Sequence, residues 1–180
     1  MAFFDNSLLL SNAQAITTTA ASTTVYDVTG AGAGNAPNQV FGQTSAGAAS
    51  PAGLDIGTGD GIEALHAFFS IGVTGTGTGT ITFQVQAAPP SGNNAGTYVT
   101  LAASAAYVGT TLIAGDVIDL PIPPFSSQAN QIGPAMVLPR FYRLNYVVSG
   151  SATATVTAYI GTTPPLGYVS VQLPNNFVSV

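Results

Sequence analysis

With 180 residues the chain is long enough for one hydrophobic core and cramped for two, so one body with terminal extensions is expected. Apolar residues make up 46% of it and charged residues 5%, with two arginines, no lysine and seven acids for a formal net charge of -5; so few cations exclude a partner recognised through its phosphates. A mean hydropathy of +0.40 excludes a disordered polymer, and the lack of cysteine excludes disulfides, thiol catalysis and thiolate metal sites.

A free-standing soluble domain carries roughly a quarter of its residues as charges, which limit self-association. A folded chain with so few must cover its surface with Thr, Ser, Gln, Asn and Ala, residues suited to contact with other protein. Assembly is the expectation.

Residues 1–38 read as an N-terminal arm followed by a loop. Leu8, Leu9 and Leu10 before Ala13-Gln14-Ala15 mimic a signal-peptide cleavage site, but a basic segment is missing and Asp5 stands in its place, so secretion by this route is not expected. Thr17 to Val28 is rich in β-branched residues without clean alternation, and Gly30, Gly32 and Gly34 end any regular element. Residues 42–61, rich in Gly, Ala and Ser, read as a long surface loop.

The body, residues 39–163, has its first clear strand where Leu65, Ala67, Phe69, Ile71 and Val73 alternate with His66, Phe68, Ser70 and Gly72. The Thr-Gly repeat from Thr74 to Gly79 reads as a flexible turn into a second strand, with Ile81, Phe83, Val85 and Ala87 on one face, and the pair reads as a hairpin. Tyr98 to Ala103 and Val117 to Ile122 are shorter strands, the second ended by Pro121, Pro123 and Pro124. Tyr142, Leu144, Tyr146 and Val148 form one face of a further strand. Ser149-Gly150-Ser151 turns it into Ala152, Ala154, Val156, Ala158 and Ile160, the clearest hairpin of the sequence. Residues 164–180 form a C-terminal tail with two β-like pieces. No charged amphipathic helix and no membrane-length apolar run is present, so the expected fold is all-β: a jelly roll or antiparallel β-sandwich of about eight strands.

Catalytic chemistry finds little support. His66 is the single histidine and lies in a strand, no G-x-S-x-G elbow occurs, and an outward strand residue is the plainer reading. Asp55, Asp60 and Glu63 sit beside glycines and would offer oxygen ligands to calcium, but their spacing is not that of an EF-hand; capping of their own turns is the plainer reading. The glycine runs lack the Lys and the strand-to-helix setting of a phosphate loop. Arg140 and Arg143 flank Phe141 and Tyr142 and would either meet an acidic partner or pair with aspartates of the chain or its neighbours. No enzyme activity, cofactor, nucleic acid or membrane partner is expected.

Three segments stand out: LLLSNAQAITTTAASTT from Leu8 to Thr24, AGDVIDLPIPP from Ala114 to Pro124, and RFYRLNY from Arg140 to Tyr146. Together they resemble the capsid cement proteins of short-tailed bacteriophages of the Bordetella-phage type, and the likeness runs from the N-terminal arm to about Gly161. It implies a jelly-roll body on the outer surface of an icosahedral head, bridging neighbouring major capsid protein subunits, and no catalytic residues. Self-association into a homo-oligomer is expected as well. The candidate interface residues are Phe3, Phe4, Leu8, Leu9 and Leu10 of the arm, which would dock on a neighbour by adding a strand to its sheet, with Arg140, Arg143, Phe177 and Val180. The alternative is a receptor- or carbohydrate-binding β-sandwich of a phage fibre or spike, which exposed aromatics clustered at one loop end would favour.

Overall fold

The computed structural model describes residues 9–27, 66–92, 94–123 and 139–161. These form an antiparallel β-sandwich with no α-helix among the described residues; one 3-10 turn, Gly109–Thr111, is the sole helical element described. No helix of the described residues is long and apolar enough to cross a membrane.

The strands in chain order are β1 (Leu9–Ile16), β2 (Ala20–Ala21), β3 (Tyr26–Asp27), β4 (His66–Thr76), β5 (Thr80–Ala88), β6 (Pro90–Ser91), β7 (Asn94–Ala95), β8 (Val99–Val108), β9 (Val117–Pro121), β10 (Phe141–Ser149) and β11 (Thr153–Gly161). One sheet has the order β1-β11-β4-β9, and the other β2-β10-β5-β8 with β3 also on β10; β6 and β7 make a small separate hairpin. The pairing is nested: the first strand lies beside the last (β1 with β11), β2 beside β10, β4 beside β9 and β5 beside β8.

Alternation explains the core. Ile81, Phe83, Val85 and Ala87 are fully buried, and across the sheet Tyr142, Leu144 and Tyr146 join them. From the opposite sheet Ala67, Phe69, Ile71, Ala154, Val156, Ala158 and Ile160 complete the cluster. Phe83 sits at its centre, 5.0 Å from the Phe69 ring and edge-on to Tyr146 at 5.9 Å, the offset geometry aromatic rings prefer. Burying each such side chain contributes about 2–3 kcal/mol.

Both expected hairpins are corrected. β4 and β5 lie in different sheets, and so do β10 and β11, so the Thr-Gly repeat and Ser149-Gly150-Ser151 carry the chain over the edge of the sandwich. The repeat is a packed crossing. Gly109 N–H donates to Gly79 C=O at 2.9 Å, Thr110 N–H to Gly77 C=O at 3.3 Å, and Gly75 N–H to Leu112 C=O at 2.8 Å. A Cβ at Gly79 would strike the Ser149 carbonyl and the Ser151 amide, and one at Gly109 the carbonyls of Thr76 and Gly77. Glycine is needed there because three backbones meet without room for a side chain.

The expected arm is also corrected where it can be seen. β1 runs beside β11 as part of the body, and β3 pairs with β10. β1 escaped the period-two test because its register shifts between Leu9 and Ser11 and again before Gln14, with Ala13 at φ 47°. The irregularity turns Ser11 inward, where its Oγ lies 2.6 Å from the buried Tyr146 hydroxyl. Ser11 donates to Gln14 Oε1 at 2.8 Å, so Tyr146 is the donor to Ser11. Gln14 Nε2 then donates to Ala21 C=O at 2.8 Å, fixing β1 to β2. Val73, expected inward, is 59% exposed because register shifts where β4 pairs with β11 interrupt the alternation from Gly72 to Thr74, all three exposed.

The sandwich has two unlike ends. The corners β1–β2, β4–β5 and β10–β11 gather at one. At the other lie the start of β1, the end of β3, the start of β4 and the end of β11.

Candidate interaction surface

The charged side chains among the described residues are Asp27, Asp116, Asp119, Arg140 and Arg143, and each is held within the chain. Asp27, with a fully buried side chain, accepts from Arg140 Nε and Nη2 at 2.9 Å each, a two-pronged pair. The hydrogen bond to Asp27 raises the Arg140 pKa, against the smaller opposing effect of burial. Arg140 also lies 4.8 Å over the Phe141 ring. Asp116 accepts from the Ile113 amide at 2.9 Å and closes a turn. Asp119 of β9 lies 2.5 Å from His66 Nδ1 on the neighbouring β4, both half-exposed.

Arg143 is set differently. It stands on β10 with Gln86 of β5 and Thr100 of β8 in the same cross-strand row, facing away from the core. Its Nε donates to Gln86 Oε1 at 2.8 Å, and its guanidinium carbon lies 3.7 Å over the Tyr98 ring. Burial pushes the Tyr98 hydroxyl pKa up, Arg143 pulls it down and Asp27 adds to the rise. The next row continues the polar face: Asn145 Nδ2 donates to Gln84 Oε1 at 2.9 Å, and Gln86 Nε2 donates both to Gln84 Oε1 and to Thr100 Oγ1 at 3.2 Å. These amides are linked to one another and make the face around Arg143 polar.

On the outer face of the other sheet Phe68 and Tyr159 pack ring to ring at 5.2 Å, with His66 stacked on Phe68 at 5.8 Å. Phe68 and Tyr159 are nearly inaccessible although they lie outside the main core cluster. The exposed large hydrophobics of the described residues are Val73, Val108 and Ile113, all near the packed crossing. There Ala114 N–H donates to Thr74 Oγ1 at 3.1 Å, tying the Ile113 turn to β4.

Of the candidate interface residues, Leu10 is corrected: it is fully buried in the chain's own core and offers nothing to a neighbour. Leu9 is half-buried at the start of β1. Arg140 belongs to an internal pair, and Arg143 reaches the outer face. Phe3, Phe4, Leu8, Phe177 and Val180 lie outside the described residues, as do Asp55, Asp60 and Glu63. No group of three or more potential metal ligands occurs among the described residues. Tyr98, Gln84, Gln86 and Asn145 were missed as site residues. Alternation put Gln84 and Gln86 on one face of their strand, but nothing in the sequence paired that strand with β10.

No protein-family description and no curated protein matches the chain.

Proposed function

We propose that the chain is a structural virion protein that binds the outside of an icosahedral phage head and cements neighbouring major capsid subunits, alone or as a homo-oligomer. The observation that carries this reading is the charge arrangement: the charged side chains of the described residues are tied down within the chain. The rest of the exposed surface among the described residues is uncharged, made of Thr, Ser, Asn, Ala, Gly, Pro and a few aliphatic side chains. Such a surface loses little desolvation energy when another protein covers it, because few charges must give up water. The resemblance of the three sequence segments to cement proteins supports the same reading, and the nested strand pairing supports a jelly-roll connectivity for the body.

A carbohydrate-binding sandwich calls for exposed aromatics at one end, whereas the exposed large hydrophobics among the described residues are all aliphatic. Cementing is the better supported use.

The test is to add the purified chain to heads of the parent phage assembled without it. Cementing predicts saturable co-sedimentation in proportion to the shell subunits and heads that survive higher temperature or osmotic shock. Failure to sediment with heads, together with binding to host-cell glycans, would overturn it.

A further inference from the structure

We propose that Arg143 is a preorganised receptor for a carboxylate, an Asp or Glu side chain presented by the protein on which this chain docks. The inference rests on the docking reading above and gives the chemistry of one contact within it.

The two arginines are three residues apart and have opposite settings. Arg140 spends its guanidinium on both carboxylate oxygens of Asp27. Arg143 has no carboxylate within ion-pair distance among the described residues. Its Nε, the nitrogen nearest its own backbone, is occupied by Gln86, and its flat face rests on Tyr98. Among the described residues its two terminal nitrogens donate to nothing. A guanidinium held by one edge and one face, with the far edge free, is oriented before any ligand arrives. An end-on, two-pronged carboxylate is the group that fits it. Prior orientation removes much of the ordering cost that a mobile arginine meets on binding.

The surroundings narrow the ligand. Gln84 Oε1 already receives Asn145 and Gln86, so it does not compete for the terminal nitrogens of Arg143. A nucleic-acid phosphate would meet a single free cation among the described residues, on a chain of net charge -5, too little to offset the repulsion. A protein carboxylate brings one charge to match one charge, and Arg beside Tyr is a residue pair common at the energetic centres of protein interfaces.

The experiment uses full-length wild type, Arg143→Gln and Arg143→Lys in the head-sedimentation assay across a salt series, with thermal unfolding of each free chain as the folding control. Arg143→Gln is expected to unfold as wild type does, to bind about tenfold or more weakly, and to lose part of the salt dependence. Arg143→Lys is expected to recover only part of the affinity, since an ammonium has no fork and stacks poorly. If Arg143→Gln fails to fold, Arg143→Lys and the wild-type salt series decide: weakened, salt-sensitive binding supports the carboxylate, and full affinity in Arg143→Lys with no salt sensitivity in the wild type overturns it. Equal affinity and equal salt dependence in Arg143→Gln overturn this inference while leaving wild-type binding to heads, and so the docking reading, intact. A wild type that does not bind heads overturns both.

Discussion

The two ends of the sandwich are stabilised by different means. At the corner end, backbone meets backbone: Gly75, Gly77, Gly79 and Gly109 allow the β4–β5 corner, the 3-10 turn and the β10–β11 corner to hydrogen-bond and nest without side chains between them. At the opposite end the strands terminate in side-chain pairs, Asp27 with Arg140 and His66 with Asp119, beside the Phe68 and Tyr159 rings. Backbone nesting admits one arrangement, whereas side-chain pairs tolerate substitution in proportion to their burial. The contrast makes the corner end the less tolerant of substitution and the opposite end the more tolerant.

The most damaging change is expected at the crossing. Gly109→Val should cost at least about 3 kcal/mol, because its Cβ would displace two backbone carbonyls. Gly92, at φ 62° with open space around its Cβ position in the β6–β7 turn, should tolerate Ala for about 1 kcal/mol. Denaturant unfolding of both variants checks this, and equal losses would break the contrast.

Next in size is the buried ion pair. Arg140→Met leaves the Asp27 carboxylate buried without its cation and should cost about 3 kcal/mol by the same measurement.

Alkaline pH tests the core that both ends share. Burial raises the pKa of Tyr142 and Tyr146 well above the ordinary value of 10.0. Since the folded-state pKa values are raised, their contribution is fully present below pH 10 and is lost as pH climbs past it, about 1.4 kcal/mol per pH unit for each tyrosine. Tyrosine ionisation followed by absorbance should therefore coincide with loss of β-structure by circular dichroism. Ionisation of these rings in a folded chain would contradict their burial.

Smaller effects follow from single polar links. Ser11→Ala removes the acceptor for the buried Tyr146 hydroxyl and should cost about 1–2 kcal/mol. His66→Ala breaks a half-exposed pair and should cost less than about 1 kcal/mol near neutral pH. A larger loss for His66→Ala than for Arg140→Met would reverse the ranking by burial.

Strands with clean alternation were legible in the sequence: β5, β10 and β11 carry their core residues where period two puts them, because each has one face on the core and the other outside. β1 was not, since its bulge breaks the period, and β8 extends to Val108 through an Ala-rich stretch of weak strand propensity. Partner choice was the larger loss. A Gly- and Ser-rich turn looks the same whether the chain returns within a sheet or crosses between two, so the sequence marked the turns at 77–79 and 149–151 without revealing their destination. For the site, the facing of Arg143 could be read from alternation. Its separation in role from Arg140 could not, because Asp27, Tyr98 and Gln86 reach the two arginines only through tertiary pairing.

The most direct measurement is electron cryomicroscopy of parent-phage heads saturated with the chain. The account predicts a regular layer of β-sandwiches on the outer surface, each seated over a seam between shell subunits with the Arg143 face against protein. Heads bare of the chain, or a few copies confined to the tail, would contradict it.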